Sequence, residues 1–370
     1  MFSLFSWAIG LVLAYFLVDT LFVLDINKRT YNHRPGKCVE IKGIDEGSEH
    51  VEYVPSKNIA FMSSGVMGIM DGNEAGRMFY YDMSEKNTNH QAVQIPIQNP
   101  PKIFIPHGFS HYILDGKVYL YVISHTPLKK DFNHSIEVFE FQEKPLGLKW
   151  VKTLKDNLFV KPNGLHAIGK DQFFISNDGS AQSEIGTFLE MFFRRPGGSV
   201  VYFDGQKSHL LVPSDVTPNG IWVDKTKQIL YYASPFKEKL VVLQLSQDFT
   251  KVEKELATIQ LLTAPDNLFM DSEGALWTGA HPVLYKLLNM EACMKKGECE
   301  KHGTCPPSQV LRIKFSADFK SHEITEPYSD DGNQLPCSSH AIHDGKGNLI
   351  IGTIAKNALH CKYTPETILA

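Results

Sequence analysis

The sequence contains no GxSxG elbow, no P-loop, no HExxH and no GxGxxG fingerprint. It therefore lacks the usual short signatures of serine hydrolases, phosphate-cradling loops, zinc peptidases and dinucleotide sites. The serines of Phe61-Met62-Ser63-Ser64-Gly65 have no glycine two residues upstream, so the segment reads as a turn. Positive charge is not in surplus either. Lys and Arg number 37 against 41 Asp and Glu, a formal net charge of −4, and no basic stripe is interleaved with aromatics. That balance argues against nucleic acid as a partner, because phosphate binding needs a basic surface. Long segments of helical period are also missing beyond the N-terminus, apart from a short one around Ile185 to Phe193.

The chain does have an apolar start. Phe2 to Leu24 is interrupted only by Asp19 and Thr20, and its uninterrupted part, Phe2 to Val18, is at the lower length limit for a membrane-spanning helix. A cleaved signal peptide is the rival reading. No basic n-region precedes the run, no small-x-small site follows it, and it is apolar all round, which favours a retained anchor. Lys28, Arg29 and Arg34 just beyond it would by themselves hold the C-terminal body in the cytosol. The cysteines argue otherwise. Six of them, at 38, 293, 299, 305, 337 and 361, have spacings unlike CxxC zinc pairs and read as bridges. Asn133-His134-Ser135 is a glycosylation sequon. Long translocated domains override flanking charge, so the body is expected in the ER lumen or outside the cell.

Beyond residue 40 the chain is a series of short β-type runs separated by Gly, Asp, Asn and Pro turns, such as Lys117 to Ile123, Ser135 to Phe141 and Gln228 to Ala233. A repeat underlies them: Pro106-His107-Gly108-Phe109, Pro162-Asn163-Gly164-Leu165, Pro218-Asn219-Gly220-Ile221 and Pro265-Asp266-Asn267-Leu268. Looser copies are Gly47-Ser48-Glu49-His50 and Ser338-Ser339-His340-Ala341. Six units with a period near 50 residues and several strands each predict an all-β fold, a six-bladed β-propeller behind an N-terminal apolar helix. The residue opening each innermost strand would then face the axis, which gathers Glu49, His107, Asn163, Asn219, Asp266, Asn267 and Ser339 or His340.

Two acids and three amides offer oxygen and no thiolate, the donor set of Ca²⁺ rather than Zn²⁺. His107 stands at the same level, with His125 one strand further on. A histidine beside a cation-bound carbonyl can act as general base toward water, a second one relaying the proton or fixing the tautomer.

The ordered set Gly43-Ile44-Asp45-Glu46-Gly47-Ser48-Glu49, Phe61 to Gly65, Pro106-His107-Gly108, Asn219-Gly220-Ile221, Asp266-Asn267, Gly279-Ala280-His281-Pro282 and Gly352-Thr353-Ile354 through Ala358-Leu359-His360-Cys361 resembles the paraoxonase family of calcium-dependent propellers. The resemblance runs from about Cys38 to Tyr363. It implies that Glu49, Asn163, Asn219, Asp266 and Asn267 bind one calcium, that His107 and His125 are the catalytic pair, and that Cys38 and Cys361 form the bridge closing the ring. It also implies lactone or aryl-ester substrates. The family's second calcium uses acids where this chain has His50 and Gly164, so a single calcium is expected. Ala280 replaces a family cysteine, and Val66, Met67 and Thr217 replace the usual aromatic or basic groups at the substrate entrance. Nematode members of this resemblance include channel-associated proteins, which makes a non-enzymatic accessory of another membrane protein the alternative function. The chain divides into an anchor at 1–24, a linker at 25–37, a propeller at 38–363 and a tail at 364–370.

Overall fold

The computed structural model describes residues 4–74, 76–128, 133–289, 299 and 304–363; the tail 364–370 and Cys293 lie outside them. Strands dominate and form six sheets, the blades of a six-bladed propeller. Blade 2 is typical: Ile105–Leu114 innermost, then Lys117–His125, His134–Glu143 and Leu146–Leu154, with the short strand Ile97–Gln98 added outside. Among the described residues, α-helices complement the sheets at α1 (Leu4–Val23), the single turn α2 (Gly68–Asp71) and α3 (Glu184–Phe192).

Blade 6 is built from both ends of the chain. Ser338–His343, Asn348–Thr353 and Leu359–Lys362 receive Cys38–Glu40 as their outermost strand, with Cys38 opposite Cys361 and bridged to it. A second disulfide joins Cys299 to Cys305, and Cys337 is buried beside it. Apolar clusters fill the seams between neighbouring blades; one of them joins blades 5, 6 and 1 through Trp277, Ile350, Val51 and Phe79. Such wedge packing removes the free sheet edges that an open β-structure exposes.

The repeated Pro-x-Gly units have a physical reason. In blades 2, 3 and 5 the strand register slips at the axial residues, between Pro106 and Phe109, Pro162 and Leu165, and Pro265 and Leu268. Such bulges redirect side chains out of the ladder. The glycine that follows allows close approach of the next blade. A Cβ on Gly108 would lie 2.2 Å from the Asn163 carbonyl oxygen, one on Gly164 2.6 Å from that of Asn219, and one on Gly220 2.2 Å from that of Asp266.

Blades 1 and 2 are also tied by a buried acid. Glu52 Oε1 accepts from Ser110 Oγ at 3.1 Å, His111 N at 3.0 Å and His111 Nδ1 at 2.7 Å. Burial alone would raise its pKa, but the hydrogen bond and charge of His111 outweigh it and hold the carboxyl below the usual value. A depressed folded-state pKa contributes stability above the unfolded value of about 4.3, and that contribution is lost as pH falls through the folded value. Glu52→Gln is expected to cost about 2 kcal/mol at neutral pH and to flatten the stability loss of the wild type below about pH 4. Urea midpoints from pH 3 to 7 measure both.

Candidate functional site

The axial bulges converge on one cavity of 290 Å³, lined by Glu49, His107, His125, Asn163, Asn219 and Asp266 from four different blades and the segment entering blade 1. Its roof is apolar: Val66, Met67 and Met70 from the loop that holds α2, Leu128, Met191 of α3, Phe236 and Ile354. An oxygen-lined floor under an apolar roof suits a small ligand with a polar head and an apolar body.

Three oxygens in this set are buried with no hydrogen-bond partner: Glu49 Oε2, Asn163 Oδ1 and Asn219 Oδ1. Leaving such groups unsatisfied costs about 1–3 kcal/mol each, a cost that an ion or polar ligand in the cavity would relieve. Asn163 is oriented deliberately. Its Nδ2 donates to Asp178 Oδ2 at 3.2 Å, which turns its oxygen inward. Glu49 and Asp266 are two buried acids with no Lys or Arg ion pair among the described residues; Lys161 lines the same cavity but lies 3.6 Å from Asp178 Oδ1, and His281 Nε2 lies 3.1 Å from Asp266 Oδ2. Burial, with Asp266 adding to it and the Asn267 hydrogen bond opposing, pushes the Glu49 carboxyl up to about 8. Unpartnered oxygens and two acids without an ion pair to Lys or Arg fit a hard cation such as Ca²⁺. Among the described residues no group of three or more His, Cys, Asp or Glu could hold a metal; the set here instead mixes two carboxylates with amides.

Asn267 stands apart from the cavity lining. Its Nδ2 donates to Glu49 Oε1 at 2.6 Å, and its Oδ1 lies 3.2 Å from His50 Nδ1. A half-turn of the amide would exchange oxygen and nitrogen, and a neutral imidazole accepts as readily as it donates. His50 is itself deeply buried, its ring 4.4 Å from His340 and 5.0 Å from Phe109, and burial drives its pKa far down. Ser339 is directed away from the cavity set, donating to the Glu49 carbonyl at 2.6 Å.

His107 Nε2 lies 3.7 Å from Glu49 Oε1, and His107 Nδ1 lies 3.0 Å from His125 Nε2. Burial lowers both pKa values; for His107 the Asp178 and Asp266 carboxylates oppose it, and for His125 the two neighbouring histidines reinforce it. Thr217, a β-branched residue on the cavity wall, has φ of 43°, so local backbone strain sits at the site as well. Sequence reasoning missed Asp178, which no repeat marks, and His134, whose Nδ1 lies 2.8 Å from His125 Nδ1. His134 was legible only as the middle of the sequon; its place follows from the hairpin register His125 to His134. Asn133 itself is exposed.

The fold is a six-bladed propeller whose axial cavity is lined by acidic and amide side chains with paired imidazoles in its wall. Similar folds include a luciferin-regenerating enzyme, with TM-score 0.55 and 9% identity over 89% of this chain and 96% of that one. The calcium-binding protein regucalcin from Agrobacterium tumefaciens gives 0.50 and 11%, over 88% and 92%. The chain belongs to the arylesterase (paraoxonase) family, whose model matches residues 24–363. Its relatives include serum paraoxonase/lactonase 3 of Oryctolagus cuniculus, 32% identical over 88% of this chain and 89% of that protein. They also include mechanosensory abnormality protein 6 of Caenorhabditis elegans, 30% identical over 98% and 96%.

Proposed function

We propose that this protein is a membrane-anchored, calcium-dependent hydrolase of lactones or aryl esters. The observation that carries the reading is the meeting of orphaned Glu49 Oε2, Asn163 Oδ1 and Asn219 Oδ1 with His107 in a single cavity under an apolar roof. Glu49, Asn163, Asn219 and Asp266 would hold the ion, joined by Asn267 after its amide turns. When bound, Ca²⁺ supplies a Lewis acid for the substrate carbonyl and the oxyanion that develops on it. His107 Nε2 takes the proton of the attacking water, and His125 steadies the Nδ1 side of the ring. The roof receives the apolar body of the ester and excludes bulk water.

Anchoring rests on α1. Its 20 residues span about 30 Å at 1.5 Å per residue, the thickness of a bilayer core. The window Ser6–Val23 is nowhere buried in the protein. α1 meets α3 through Phe16, whose ring lies 5.8 Å from Phe192 and 5.6 Å from Phe193, and through an Asp19–Arg194 ion pair. α3 leaves Ile185 and Phe188 exposed on the same side, so lipid would cover both helices and the roof would lie near the membrane surface. The disulfides support a lumenal or extracellular body, and Asn133 is the glycan site in this reading.

The full-length protein in detergent should hydrolyse members of a lactone and aryl-ester panel, with His107→Gln lowering kcat by about a hundredfold or more. An inactive wild type across the panel would reject the hydrolase reading. The alignment with mechanosensory abnormality protein 6 through the N-terminal helix supports a second reading, a non-enzymatic accessory of another membrane protein. That reading predicts co-purification with a membrane partner that survives His107→Gln but not removal of α1.

A further inference from the structure

Three side chains meet across the seam where blade 6 closes on blade 1. Tyr81 is on Arg77–Asp82, the third strand of blade 1, and His90 is in the connection that follows it. His360 is on Leu359–Lys362 of blade 6, the strand that also holds Cys361. Tyr81 and His360 are buried. The Tyr81 hydroxyl lies 2.7 Å from His360 Nδ1 and 2.9 Å from His90 Nδ1, and His360 Nε2 lies 3.0 Å from Asn348 Oδ1. None of these four residues lines the axial cavity.

The Asn348 end orders the whole file. The Lys362 ammonium, which can only donate, is 2.8 Å from Asn348 Oδ1 and identifies that atom as the oxygen; the amide nitrogen faces Asp344 Oδ2 at 2.6 Å. His360 must therefore donate from Nε2, and a neutral ring is then bare at Nδ1. The Tyr81 proton goes to that nitrogen. A hydroxyl has one hydrogen, so His90 can only donate to Tyr81 from its own Nδ1. The bonds run one way, from His90 to Tyr81 to His360 to Asn348.

Acid works against this order. A proton added at His360 Nδ1 turns the Tyr81 hydroxyl toward His90 and forces the His90 hydrogen to Nε2, so the contacts survive only with a cation in the seam. The surroundings repel one. Lys362 already holds the Asn348 oxygen, and Lys37 and Lys42 add positive charge near His90. The Asp344 carboxylate is taken up by the Asn348 amide and by the backbone N–H groups of Lys346 and Asn348. Burial, with His90 and Lys362 adding to it and Asp344 opposing, lowers the His360 pKa to about 4. A ring kept neutral in the closed seam and free to charge in the opened one favours closure fully above about pH 6.5, and that contribution is lost as pH falls from there toward 4.

We infer that His90, Tyr81, His360 and Asn348 form an acid-sensitive clasp on the seam that closes the ring, holding blade 6 to blade 1 at neutral pH and loosening in an acidified compartment. The Cys38–Cys361 bridge joins two strands within blade 6 and leaves this contact between blades reversible.

The test uses full-length protein in detergent micelles with ¹⁵N-labelled histidine, together with Tyr81→Phe and His360→Phe. At neutral pH the wild-type ring spectra should give Nε2–H for His360 and Nδ1–H for His90, and Tyr81→Phe should release His90 from that tautomer. Amide exchange in Leu359–Lys362, corrected for intrinsic rates, reads the opening of the seam. Between about pH 7 and pH 5 the opening constant should rise about tenfold or more in the wild type and stay within about threefold in His360→Phe. A wild-type His360 with its hydrogen on Nδ1 at neutral pH, or one that charges at the ordinary value of about 6.5, overturns the inference. So does an equal rise in opening in His360→Phe. If His360→Phe does not fold, the wild-type spectra and Tyr81→Phe still decide, because a His90 tautomer unmoved by loss of the hydroxyl also overturns it. None of these readouts needs activity, so the clasp and the hydrolase reading stand or fall separately.

Discussion

Removing calcium from the purified protein is expected to abolish lactone or aryl-ester hydrolysis, and Glu49→Gln is expected to lower kcat/KM by about a hundred- to a thousandfold. The reason is charge. Glu49 and Asp266 share a buried cavity whose one lining lysine, Lys161, lies against Asp178 instead, and without a cation the Glu49 carboxyl keeps its proton to about pH 8. An ion that binds must displace that proton, so calcium affinity should rise with pH and binding should release protons. Calorimetry in two buffers of different ionisation enthalpy measures the release, and initial rates after chelation and re-addition measure the dependence. Hydrolysis that continues unchanged in chelator, or a Glu49→Gln variant with wild-type rates, would remove the ion from the mechanism.

The second large effect concerns ring closure. Replacing Cys38 and Cys361 together by serine is expected to cost about 4 kcal/mol, because the bridge closes a loop of 323 residues and restricts the unfolded chain accordingly. The strand Cys38–Glu40 has three residue pairs with Leu359–Lys362 to hold it once the bridge is gone, so opening should begin at that seam. Denaturant midpoints of wild type and the double variant measure the cost. Hydrogen exchange should show the loss of protection first in blade 6. Equal midpoints would mean that apolar packing between blades 5, 6 and 1 closes the ring unaided.

The blade count was legible because the repeat encodes a mechanical requirement. Blades 2, 3 and 5 use a bulge to turn a polar residue inward, blades 2, 3 and 4 a glycine to admit the next backbone, and these needs leave a mark in letters such as Pro-Asn-Gly. Glu49, His107, Asn163, Asn219 and Asp266 were found by that route and do line one cavity. Asn267 belonged to the same motif yet faces Glu49 and His50, because a two-residue bulge sends its neighbours to different sides. His134 and Asp178 left no such mark. The position of His134 depends on hairpin register across the 126–133 connection, and that of Asp178 on where the second strand of blade 3 ends. Neither strand ends nor register can be read from a local pattern. Residues 25–37, read as a linker, run against the body instead: Asp25 is fully buried, the Leu284 N–H donates to it at 3.2 Å, and Arg34 pairs with Asp330 at 2.6 Å.

The glycines beside the axis have a consequence for how the molecule can evolve or be re-engineered. The carbonyls of Asn163, Asn219 and Asp266 each rest in a notch left by a glycine of the preceding blade, Gly108, Gly164 and Gly220. The spacing of the oxygen donors is thus set by a circumference, as the stones of an arch fix the span together. Cutting the chain at an outer loop and rejoining its ends would preserve that span. Deleting or adding a single blade would change it everywhere at once and leave no donor at its present distance from the others.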